Sequence, residues 1–332
     1  MLFAALRRDT ASLRQLRARA PVNAGQRGRR TSGLAIETGW LLATYLEDLD
    51  RAEEFTRFGT AASLTPGLRA SAHQLLASLA VASGRWSAAK IELAAAGVAH
   101  PDSALIGRAL AAALPFLMVP KPDLERIRRE VKRWEPGSDV STPLPAMLRP
   151  LTGHVRLYLL GLLSARLGDA TGALGYAGEL EKLAVPPDSR ALARDLGRTI
   201  RAEVAAGAGR AEEALSQLVG VKGEVPFELI RLPYFSGEHA RYLQSMLLHQ
   251  VGQHEESLRL LEDAFTGTPY ELHYRAPAHL LRATIYQRLD QRPPAAEQYS
   301  RFLSLWDGCD PALRPVVEGA RAEQSLLTRE AQ

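Results

Sequence analysis

The sequence predicts an all-α fold: about seven helical hairpins stacked as an α-solenoid and closed by a C-terminal capping helix. Three observations carry that expectation. A phrase recurs at roughly 40-residue intervals, made of a small residue, a turn glycine and an alanine five residues after it. The phrase sits between stretches whose apolar residues recur with helical spacing. Pro101, Pro226 and Pro269 each fall seventeen residues after the turn glycines Gly84, Gly209 and Gly252, where a proline stops a second helix.

The clearest copy is LLGLLSARLGDATGAL, with Gly161 on the first helix, the turn at Gly168 and Asp169, and Ala173 on the second. Others centre on Ala77, Gly84 and Ala89; on Ala202, Gly209 and Ala214; on Ser245, Gly252 and Ser257; and on Ala283, Asp290 and Ala295. Where two antiparallel helices cross closely, only Gly, Ala or Ser lets the backbones approach, and a glycine suits the left-handed conformation that ends the first helix. The turns at 84 and 168 lie two periods apart, so a hidden unit is expected between them. Residues 104–119 read as its first helix, PKPD at 120–123 as a break, and Asp123–Trp134 as its second. A divergent unit with Trp40, Tyr45, Phe55 and Phe58 precedes Gly84. Turns are therefore expected near 49, 84, 121, 168, 209, 252 and 290.

The division of the chain follows. Residues 1–30 form a basic partial repeat and loop, 31–135 the N-terminal units, 136–153 a proline-rich connection, 154–310 the C-terminal units, and 311–332 the capping helix and tail. Eight arginines against Asp9 give residues 1–30 a charge of +7; the whole chain is +4, which leaves about −3 for the rest. Only five of the 41 basic residues are lysines, and Asn23 is the one asparagine. This is the usage of a GC-rich genome, and it weakens an arginine patch as a sign of nucleic acid. Association with nucleic acid through the N-terminus stands only as an alternative.

Cys309 is alone, so no intrachain disulfide forms, and a reducing, cytoplasmic setting is expected. The longest apolar run, residues 109–120, is too short to cross a membrane. No phosphate-binding loop, GxGxxG, GxSxG or HExxH is present, so neither catalytic residue, metal nor cofactor is expected. His249 and His254 are five apart across Gly252 and share no helical face.

With small residue, glycine turn, alanine, aromatic Tyr299 and terminal proline in place, residues 70–310 resemble the tetratricopeptide repeat. The period near 42 departs from that family's 34. The resemblance implies a right-handed superhelix whose concave groove binds a protein or peptide. The inner positions of the first helices would then carry the site: Tyr158, Arg166, His239, Tyr242, Met246, His249, Gln287 and Arg288. The connection at 221–238 adds Phe227, Tyr234 and Phe235 as loop contacts. An enzyme or ligand-binding module with its site in the same groove is the alternative. The segment from His279 to Leu327 is similar to the end of tetratricopeptide regions behind bacterial serine/threonine kinase or transcription-regulator domains, which implies a regulatory portion of a signalling protein.

MLFAALRRDTASLRQLRARAP reads as the last half of one helix, a turn near Asp9 and a second helix, so Met1 is expected to lie inside a longer array or multidomain protein. Immunoblotting of the native polypeptide is predicted to give a band well above 36.2 kDa. A discrete band at that mass contradicts this expectation.

Overall fold

A computed structural model describes residues 26–136, 151–185, 191–221, 237–262 and 270–329, with side chains from residue 33 onward. The basic start, most of the proline-rich connection, and Phe227, Tyr234 and Phe235 lie outside the described residues. Within them are fifteen α-helices and no strand.

Fourteen helices pair as seven hairpins. The first three are α1 (Gln26–Leu46) with α2 (Leu49–Arg57), α3 (Pro66–Ala82) with α4 (Trp86–Gly97), and α5 (Pro101–Ala113) with α6 (Lys121–Arg133). Next come α7 (Thr152–Arg166) with α8 (Ala170–Leu180) and α9 (Leu192–Gly207) with α10 (Ala211–Leu218). The last two are α11 (Glu238–Gln250) with α12 (His254–Glu262) and α13 (Arg275–Arg288) with α14 (Arg292–Trp306). Helix α15 (Arg314–Arg329) packs on α14 as the cap.

The repeated phrase is a repeated piece of geometry. Seven residues before each turn, Ala77, Gly161, Ala202, Ser245 and Ala283 are buried; five after it, so are Ala89, Ala173, Ala214, Ser257 and Ala295. At Gly161 the missing Cβ makes room for Ile200 of the next hairpin's first helix. In the sixth hairpin the second alanine is replaced by Ser257, whose hydroxyl donates to the Ser245 carbonyl at 2.7 Å and so stays satisfied at the crossing.

Five of the seven turns close the same way. The amide three places past the helix end donates back to the carbonyl five residues earlier, from Arg85, Asp169, Arg210, Gln253 and Gln291, at 2.8–2.9 Å. The intervening residue is left-handed, with φ of 69° at Gly84, 77° at Gly168, 74° at Gly209 and 83° at Gly252. Asp290 (55°) fills this place in the seventh hairpin, and Glu47 (54°) holds the left-handed position between α1 and α2.

The third hairpin departs from expectation. Its first helix ends at Ala113 rather than 119, because Pro115 pushes Leu114 into extended backbone (φ −63°, ψ 128°). Residues 114–120 form a loop that carries Phe116 inward.

A solenoid contacts only its neighbours along the array, but this one also bends back on itself, laying hairpin seven against hairpins one and two. The Trp306 indole N–H donates to the Ala82 carbonyl (3.0 Å), and the Arg275 guanidinium donates to the Ala43 carbonyl (2.7 Å). The Asp310 amide donates to the Gly84 carbonyl (3.1 Å). The Asp310 carboxylate accepts from the Ser87 amide (2.9 Å) and hydroxyl (2.5 Å), capping α4, whose own N-cap residue Arg85 makes no side-chain cap.

Gly84 shows both constraints on one residue. A Cβ there would meet the Cys309 Cβ at 3.0 Å and the Leu313 Cδ1 at 3.1 Å, whereas at Gly168 it would meet nothing. Gly84→Ala and Gly168→Ala should each lose about 1 kcal/mol to the left-handed backbone, and Gly84→Ala a further ~1–3 kcal/mol to overpacking at the seam. Urea denaturation measures both; equal losses would show that the seam is not packed as described.

Candidate functional site

The inner face of the array is occupied by the chain's own side chains. Phe116 stands edge-on to Tyr242 (centroids 5.7 Å apart) and to Tyr274 (5.4 Å), and tilts against Trp306 (6.4 Å). Hairpins three, six and seven thus meet in one aromatic cluster, in the edge-to-face geometry that ring quadrupoles favour. Tyr274 and Trp306 are fully buried and Tyr242 is 8% exposed. Burial pushes the Tyr242 hydroxyl well above the ordinary phenol range, so it stays protonated.

The residues expected to bind a partner divide accordingly. Tyr158 is buried in the continuous core. His239 is clamped between the Tyr274 hydroxyl and the Glu203 carboxylate, both at 2.7 Å. Arg166 donates to the carbonyls of Ala112, Leu114 and Leu117, satisfying the loop that Pro115 forces open. Met246 packs against the core, and Gln287 donates to Glu323 and accepts from the Tyr299 hydroxyl. These six serve the internal architecture, which differs from the open groove expected of them.

His249 and Arg288 remain at the rim. The hairpin turn adds a residue that spacing had set aside: His254 Nδ1 lies 3.1 Å from His249 Nδ1, with ring centroids 4.9 Å apart. The two share no helical face, as expected, but the turn at Gly252 folds one ring over the other. Partial burial and the nearby positive groups of His254 and Arg288 hold the His249 pKa below its usual value. Arg288 is exposed and makes no ion pair among the described residues. Gln250 and Val251, both exposed, complete this rim at the turn of hairpin six.

A second opening lies at the seam, a cleft of about 720 Å³ between the turns of hairpins one and two and the end of α14. Its arginines are already engaged, Arg51 with Asp48 (3.4 Å) and Arg85 with Glu53 (2.7 Å). Glu47 in its wall accepts from His279 (3.3 Å), and that hydrogen bond holds its carboxyl below the ordinary range. Among the described residues no group of three or more His, Cys, Asp or Glu side chains is placed to hold a metal ion, and no helix is long and apolar enough to cross a membrane.

No protein-family model matches the chain, and no curated protein matches it. Among solved structures it is similar to a tetratricopeptide repeat protein from Parabacteroides merdae ATCC 43184, at 16% identity and a TM-score of 0.42, over 87% of this chain and 98% of that one. The all-α repeat fold is therefore read from the seven hairpins themselves.

His273 generates a test of this interior. It is buried, neither ring nitrogen has a hydrogen-bond partner among the described residues, and desolvation takes its pKa down to about 3. The unfolded chain, with an ordinary histidine, binds the extra proton first, so stability is fully present above about pH 6.5 and falls as pH drops toward 3. Between about pH 5.5 and 4 this residue should remove about 1.4 kcal/mol per pH unit, and about half that near pH 6.5. His273→Leu should flatten that limb in urea titrations, and an unchanged slope would contradict the assignment.

Proposed function

We propose that the chain is a non-catalytic scaffold for a protein or peptide partner, engaged through the turn-side rim of hairpins six and seven. One observation carries the reading. Six of the eight inner-face candidates are committed to the chain's own packing, while His249 and Arg288 stay presented at the rim, joined there by His254, Gln250 and Val251. A patch that mixes exposed cationic, amide and apolar side chains, positioned by rigid helices, suits recognition of another chain. Two interior histidines are held by fixed partners, His239 by Glu203 and Tyr274, and His279 by Gln298 and Glu47.

We further read the repeats as the regulatory or sensing segment of a larger bacterial signalling protein acting in the cytoplasm. The similarity of residues 279–327 to regions behind kinase and regulator domains supports this, as does the lone buried Cys309.

The test is photo-crosslinking in the native cell, with the reactive residue placed in turn at Gln250, Val251 and the exposed Arg129 of α6. Adducts to one protein are expected from positions 250 and 251 and not from 129. Equal adducts at all three positions, or none at the rim, contradict the reading.

A further inference from the structure

The rim cluster has a charge balance that specifies its ligand more closely. Three elements converge there. Helix α11 brings His249, α12 begins with His254, and α13 ends on Arg288. Two acids follow His254 on α12, Glu255 and Glu256; both are exposed and neither pairs with an imidazole. Glu323 of α15 is held by Gln287. Among the described residues Arg288 has no acidic partner, and the two Nδ1 atoms at 3.1 Å can satisfy each other only while at least one ring is neutral.

We propose that His249, His254 and Arg288 form an acceptor site for carboxylate side chains of an acidic peptide segment of the partner. This rests on the rim as the partner surface. Without ligand, one imidazole donates its Nδ1 proton to the other. An arriving carboxylate accepts from both rings once the accepting ring has taken one proton from water, replacing the bond between them, and Arg288 supplies a further pair of parallel donors. Binding is therefore coupled to proton uptake and tightens as pH falls, over the range in which the carboxylates themselves stay ionised. The lowered pKa of His249 belongs to the empty site, where partial burial disfavours its charged form and the positive groups of His254 and Arg288 add to that. Two nitrogens at this spacing also fit a transition-metal ion, but the unpaired guanidinium beside them opposes a cation, so the acid is the ligand the cluster favours.

The experiment titrates the full chain with N-acetyl-tetraglutamate amide, reading the Cε1–H resonances of both histidines by NMR and the affinity by calorimetry at pH 6.0 and 7.5. Both resonances should shift along one saturation curve, with binding about tenfold tighter at pH 6.0, the effect of roughly one coupled proton. His249→Gln with His254→Gln should abolish the pH dependence, and Arg288→Gln should weaken binding at both values. Sulfate, whose charge is constant over this range, should compete only weakly, because one free anion lacks the linked carboxylates.

Unmoved histidine resonances, equal affinity at both pH values, sulfate binding tighter than the peptide, or saturation of both rings by zinc in place of the peptide would each overturn the acceptor site. In all four cases rim crosslinks would still stand as evidence of a partner surface. Loss of those crosslinks alone would remove the underlying reading.

Discussion

The return of hairpin seven onto hairpins one and two is the constraint on which the rest of the structure depends. Stacked hairpins alone define a one-dimensional array with an open inner face, because each unit needs only its neighbours. Here residues some 220 positions apart share buried hydrogen bonds, the Trp306 indole to Ala82 and the Arg275 guanidinium to Ala43. Losing either partner would strand a buried polar group at a cost of about 1–3 kcal/mol, more for the charged arginine. Asp310 adds an N-cap supplied to α4 from the far end of the chain, so the end of one hairpin depends on another for its satisfied backbone.

Closure converts the inner face into a core. Phe116 enters from the loop of hairpin three and finds Tyr242, Tyr274 and Trp306 around it, and His239 is fixed between Glu203 and Tyr274. Tyrosine, histidine and arginine are the residue types an interface uses, and they serve equally well to join repeats to one another. What stays uncovered is the edge of the array, where the chain reverses between helices. The cluster of His249, His254 and Arg288 lies at such an edge, and among the described residues Arg288 has no ion-pair partner, unlike the paired arginines of the seam cleft.

The hairpins were legible because their determinants are local. A small residue, a left-handed turn and another small residue repeat with fixed offsets, and the structure buries each of those positions. Even Asp290, where the glycine is missing, was found by phase. The error at residues 114–119 came from reading apolar periodicity through Pro115, whose ring forbids the helix that the pattern suggests. The inner face was legible as a face, since periodicity says which side of a helix a residue occupies. Periodicity does not say what comes to lie against that side, and contacts across 220 residues leave no trace in spacing. His254 was missed for a related reason: five residues on a straight helix diverge, but a turn between them superimposes the rings.

The central claim, that the array is closed head to tail, is tested most directly by a distance measured across the seam. Spin labels at the exposed positions Asp50 and Asp307, on opposite walls of the cleft, report it by double electron–electron resonance. The account predicts one short, narrow distance distribution in solution. A long or broad distribution would mean that hairpin seven does not rest on hairpins one and two, and that the aromatic inner face is open to a partner after all.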